Sequence, residues 1–171
     1  MIHDGLCASS TDPGPASRWQ VSRAVGAVTG AFLATRRDVF LAHHGYDEVH
    51  LAVSYSDIDY GLKLRASGLK VLWTPAITLY HYESQTRGLD HLDPEKCARD
   101  AAERGVMEAR WGTAMVTDPS VNPIWHMTTL PFRLLSVPSQ PRVWAHIERC
   151  TASDPWLPER EDHRCSPQDR A

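Results

Sequence analysis

Tyr55-Ser56-Asp57-Ile58-Asp59-Tyr60-Gly61-Leu62-Lys63-Leu64 is followed by Gly68-Leu69-Lys70-Val71-Leu72-Trp73-Thr74-Pro75 and by Leu79-Tyr80-His81-Tyr82-Glu83-Ser84, which orders a carboxylate pair, an apolar run and a histidine along one stretch of chain. Ser56 and Asp59 have the S-x-x-D spacing of a capping box. Ile58, Gly61, Leu62 and Arg65 continue at helical spacing, and Gly68 supplies a stop, so a helix is expected here with Asp57 in its first turn. Residues 69–73 read as a short apolar strand ended by Thr74-Pro75. The alternation in residues 77–81 reads as a second extended run, with His81 on the face of Ile77 and Leu79.

Upstream, residues 8–18 mix Ser, Thr, Asp, Pro and Gly as a loop does. Residues 24–35, small and apolar with almost no charge, read as a buried strand whose two glycines, Gly26 and Gly30, mark a close approach by another backbone or a ligand. Arg36-Arg37-Asp38 then leads into a short helix through His43, and residues 44–48 form a turn. Downstream, Asp93-Pro94 is a cap and first-turn pair opening a helix to about Trp111, with Cys97, Ala98, Ala101, Ala102, Gly105 and Ala109 on one small-residue face. Eight of the twelve prolines follow Asp118, so regular structure is expected to thin out there, and residues 152–171 read as a disordered tail.

Bulk properties narrow the function classes. The 171 residues suffice for one domain with a core. A net charge of -3, from 18 basic and 21 acidic side chains, lacks the one-signed field that nucleic acid or anionic lipid calls for. The basic residues are 15 Arg and three Lys, a bias that suits anionic-oxygen recognition and equally reflects composition. Cys7, Cys97, Cys150 and Cys165 are too far apart for a zinc motif and point to a reducing compartment. Residues 1–20 carry no apolar run of the kind a signal peptide has, and residues 124–137 fall short of a membrane span. Nine histidines, including His43, His44 and His50, raise a metal-binding module, but adjacent helical histidines face different ways.

The residues alone leave two readings of Asp57. A carboxylate at a helix start can accept the proton of a substrate hydroxyl, or it can simply cap the helix. His81 on an apolar strand face is equally a satisfied core histidine.

Residues 26–40, Gly45-Tyr46-Asp47-Glu48, Ser56-Asp57-Ile58-Asp59, Trp73-Thr74-Pro75 and the run from Tyr80-His81-Tyr82-Glu83-Ser84 to Arg87-Gly88 together resemble, in order and spacing, the C-terminal half of a family 2 inverting glycosyltransferase of GT-A fold. The subgroup is that of bacterial rhamnosyltransferase-like and O-antigen polysaccharide enzymes. Arg110-Trp111-Gly112, Asp118-Pro119 and Asn122-Pro123 resemble the stretch that follows the catalytic core. The resemblance implies an α/β chain, an incomplete GT-A (Rossmann-like) domain lacking its N-terminal nucleotide-binding half. Residues 1–20 would then be a loop-like segment, 21–125 the acceptor-side half, and 126–171 a Pro-rich extension and tail.

By the same resemblance Asp57 is the catalytic base, and His81 helps hold a divalent Mg²⁺ or Mn²⁺ against the leaving diphosphate. Gly30, Asp47 and Glu48 line the acceptor pocket. Arg87 contacts diphosphate oxygens or is a plain loop arginine. Asp59 stands in the same acceptor-side group, though finishing the capping box is its first role. The D-x-D string Asp57-Ile58-Asp59 opens a helix and does not end a strand, so it is assigned to the base and not to the metal. Implied partners are a nucleotide-sugar donor, a glycan or lipid-linked acceptor and a separate chain supplying the N-terminal half, with the protein in the cytoplasm or at the inner membrane face. The alternative is a catalytically dead remnant that binds glycan or protein through the same pocket.

Overall fold

The computed structural model describes residues 8–81, 93–115, 118–119, 121–125 and 134–152. After a 3-10 segment, Pro15–Gln20, the elements are β1 (Arg23–Val25), α1 (Arg37–Ala42), α2 (Ser56–Ala66), β2 (Val71–Trp73), α3 (Pro94–Trp111) running into a 3-10 turn (Gly112–Met115), and α4 (Gln140–Thr151). The two strands pair antiparallel, with Arg23 opposite Trp73, Ala24 opposite Leu72 and Val25 opposite Val71. The chain is therefore mixed α/β with a small two-stranded sheet among the described residues.

The long strand expected over residues 24–35 shrinks to its first two residues, the rest being bends and turns. The reason lies in what its backbone binds. Gly26 N–H donates to Asp118 Oδ2 at 3.1 Å and Gly30 N–H to Asp57 Oδ2 at 2.6 Å, so carboxylates take the place of a neighbouring strand. The close approach read from the two glycines is real, and it extends to α2, where a Cβ on Gly61 would lie 3.0 Å from that of Ala27.

α2 is the axis of the fold. Tyr60 and Leu64, one turn apart, enter a cluster with Val25 and Val71, while Leu62 joins Leu51, Met107 and Ala114 on the other side. Each such side chain contributes about 1.5–3 kcal/mol by leaving water. The helix ends as expected: Gly68 has φ +80°, its N–H bonds Arg65 O at 2.9 Å, and Leu69 N–H bonds Leu64 O at 2.9 Å. Its start differs. The cap is Tyr55, in the left-handed region at φ 65° with no side-chain capping bond, so the Ser56–Asp59 capping box does not form. Tyr55 is held in that strained conformation by its ring in the second cluster and by its hydroxyl, which donates to Asp100 Oδ2 at 3.3 Å.

α1 appears where expected, with His43 as its C-cap, and the 44–48 turn is pinned to α2 by three rings. Phe40 and Tyr46 meet edge-on at 5.5 Å, Tyr46 and Tyr60 at 5.9 Å, and Phe40 and Tyr60 at 5.2 Å. Gly45, at φ +50°, lies against the Phe40 ring, where a Cβ would come within 2.5 Å.

α3 matches its expected span, and the Asp93 side chain accepts from Glu95 N at 3.0 Å and Lys96 N at 3.3 Å. Its small-residue face is exposed, while the opposite face buries Glu103 and Met107. Glu103 accepts from Ser54 N at 2.5 Å, tying the approach to α2 onto α3.

Two further differences stand out. Residues 77–81 form no strand, and Ile77, Leu79 and Tyr80 are all more than half exposed, because the turn after Thr74 carries the chain away from the sheet. The Pro-rich region also carries α4, whose Pro141 sits in the first turn, the one helical place that suits proline. No helix among the described residues is long and apolar enough to cross a membrane.

Candidate functional site

Asp57 stands half-buried in the first turn of α2. Its Oδ2 accepts the Gly30 N–H at 2.6 Å and its Oδ1 accepts the Ile58 N–H at 2.8 Å, so two backbone donors fix the plane of the carboxylate. Gly30 is needed for this approach: a Cβ there would lie 3.3 Å from Asp57 Cβ and 3.4 Å from Oδ2. Two of the sequence-expected site residues thus touch. Each Asp57 oxygen keeps a second acceptor position, which a substrate hydroxyl could use.

Asp47 and Glu48 lie on the turn after Gly45 and line an open depression of about 480 Å³ together with His44, Tyr46, Val49, Lys63 and Arg110. Asp47 shapes the turn by accepting from Val49 N at 3.1 Å and His50 N at 2.9 Å. The His50 N–H and then the Arg110 guanidinium hold its carboxyl well below the ordinary carboxylate range. Asp57 does not line this depression, but Tyr46 does. Burial and then the Asp57 charge push its phenol up, so it stays protonated and able to donate.

Asp59 requires a correction. It was expected at the capping box and on the acceptor side, yet it is wholly buried and cannot reach a substrate. Arg110 Nη1 donates to its Oδ1 at 2.8 Å and Trp111 Nε1 to the same oxygen at 2.8 Å, while Lys63 Nζ pairs with Oδ2 at 2.8 Å. Burial pushes this carboxyl up, but the three donors outweigh it and the net shift is downward. Arg110 Nη2 donates to Asp47 Oδ2 at 2.8 Å, so one guanidinium joins the pocket turn to α2.

Sequence reasoning assigned no role to Arg110, Trp111, Lys63 or Tyr46. The one signal for Arg110 and Trp111 was their place in the Arg110-Trp111-Gly112 motif. His81 is exposed at the end of a described segment, and Arg87 lies outside the described residues. Among the described residues no three His, Cys, Asp or Glu side chains gather as a cation would require.

No family model and no solved structure matches the chain. It is 42% identical over 122 residues to the uncharacterized protein y4gI of Sinorhizobium fredii, a match covering 71% of the chain and 13% of that protein. It is also 42% identical over 65 residues to the O-antigen biosynthesis protein RfbC of Myxococcus xanthus, covering 38% of the chain and 5% of that protein. The chain thus spans less than a fifth of either relative, and its likeness to an O-antigen biosynthesis protein is partial.

Proposed function

We propose that the chain is the acceptor side of an inverting glycosyltransferase that moves a sugar from a nucleotide-sugar donor to a hydroxyl of a glycan or lipid-linked acceptor in polysaccharide biosynthesis. The observation that carries this reading is the contact between Gly30 and Asp57, which holds a carboxylate oriented and half-exposed at a helix start. The partial likeness to RfbC supports the sugar chemistry.

In this reading the acceptor hydroxyl donates to a free lone pair of Asp57. As its oxygen bonds to the anomeric carbon, the proton passes to Asp57. The bond from that carbon to the diphosphate oxygen breaks on the opposite side, its electron pair leaving with the diphosphate. Base assistance of this kind is worth about 10²- to 10⁴-fold. Tyr46 and the rim of Asp47 and Glu48 orient the acceptor.

The expected Mg²⁺ or Mn²⁺ does not fit the described residues by themselves, since no three His, Cys, Asp or Glu side chains gather among them. No step here is drawn through it. Its remaining ligands, like the nucleotide-binding portion, belong to the rest of the transferase, whichever polypeptide carries it. A place at the cytoplasmic face of the membrane, where lipid-linked acceptors lie, goes with this function.

The test is donor-dependent transfer across a panel of nucleotide-sugars, with the nucleotide-binding portion present. Asp57→Asn should lower transfer by about 10²- to 10⁴-fold while the fold is kept, with a small drop in thermal midpoint because the amide accepts only one of the two backbone N–H groups. Saccharide binding without transfer by the unaltered protein would point instead to a binding module.

A further inference from the structure

Resting on the acceptor-site reading above, we infer that the depression behind the Asp47 turn selects acceptor sugars carrying no negative charge, a neutral or amino pyranose over a uronate, and that Glu48 sets the preference.

The charges on the lining residues are mostly paired. Lys63 Nζ is held by Asp59 Oδ2 at 2.8 Å and donates to Gly45 O at 3.2 Å. Arg110 has both arms committed, one to Asp59 and one to Asp47, each at 2.8 Å. Two cations and two carboxylates are therefore paired with one another, and the lining carries no excess positive charge to draw an incoming anion. Glu48 is different. It is exposed, lines the depression, and makes no hydrogen bond or ion pair among the described residues.

A carboxylate accepts hydrogen bonds and donates none, which suits sugar hydroxyls and an ammonium group. Against a sugar carboxylate at about 4 Å it costs on the order of 1 kcal/mol in water, about fivefold in affinity. Tyr46, whose ring packs against Phe40 and Tyr60, adds a protonated phenol to the same lining. The depression, about 480 Å³ and widely open, can take one sugar ring at the surface.

The experiment is binding of the whole chain to arrayed saccharides ending in matched pairs, glucose against glucuronate and galactose against galacturonate, with glucosamine and galactosamine alongside. It is run near neutral pH, where the amino sugars keep their ammonium charge, and at low salt, where the charge effect is least screened. The neutral and amino sugars should bind about fivefold tighter than the uronates. Glu48→Gln should bring each neutral and uronate pair to near parity, the ratio within a pair being the quantity read. Preference for uronates, or a preference that survives Glu48→Gln, overturns this inference and leaves the transferase reading standing. Absence of binding to any pyranoside overturns the acceptor-site reading itself, and this inference with it.

Discussion

Asp59 and Arg110, 51 positions apart in the chain, meet at 2.8 Å between the first turns of α2 and the last turn of α3, with the carboxylate wholly buried. Two residues before Asp59 on the same helix stands Asp57, and the second arm of Arg110 reaches Asp47 on the pocket turn. The buried carboxylate cannot reach a ligand. It fixes the start of α2, where Asp57 stands half-buried.

Removing it should be costly. Asp59→Ala leaves Lys63 and Arg110, whose side chains are 23% and 31% exposed, without their shared counter-charge. Loss of one partner from a buried ion pair costs about 3–5 kcal/mol, and the partial exposure of the two cations places this change toward the lower end. Asp47→Ala, at a 15% exposed side chain on a surface turn, should cost less. Urea unfolding of the two variants gives the comparison directly, and equal losses would contradict it.

Acid should act through the same network. Asp47 and Asp59 both titrate below the ordinary carboxylate value in the folded chain, so the unfolded chain binds their protons first as pH falls. Their contribution to stability is fully present above about pH 5 and drains away as pH drops through about 3.9 toward the folded values. Urea midpoints measured from pH 7 to pH 3 should fall, and Arg110→Gln, which removes a donor from both carboxylates, should flatten that decline.

Gly30→Ala separates site geometry from stability. The added methyl would meet Asp57 at 3.3 Å, tight enough to shift the carboxylate but on the exposed side of the fold. Misplacing a reacting group by a fraction of an ångström to an ångström costs up to about 10²-fold in rate. Transfer should therefore fall by about tenfold or more with the thermal midpoint nearly unchanged. A full rate, or a large drop in midpoint instead, would count against the Gly30 to Asp57 contact as part of the site.

Much of the helical frame was legible in the sequence because its signals are local. Asp93-Pro94 opens α3, Gly68 closes α2 in a left-handed turn, and Arg36-Arg37-Asp38 leads into α1. What was not legible depends on contacts distant in sequence. Residues 24–35 have strand composition, yet beyond Val25 their backbone bonds go to Asp57 and Asp118, and no local pattern encodes that exchange. Asp59 fits a capping box by spacing, but Arg110, Trp111 and Lys63 draw it inward. The alternation of residues 77–81 met no partner strand among the described residues. α4 was hidden by its prolines, although Pro141 occupies the first turn. Asp57 and Gly30, both singled out in the sequence, do meet, but the guanidinium that ties α2 to the Asp47 turn was marked only by its place in the Arg110-Trp111-Gly112 motif.

The central claim is that Asp57 takes the acceptor proton. Its most direct measurement is the single-turnover rate of sugar transfer for the unaltered protein and for Asp57→Asn, with the nucleotide-binding portion present and both proteins shown to be folded. A fall of about 10²- to 10⁴-fold in the variant is the expected result, and a rate within a few-fold of the unaltered protein would contradict the claim.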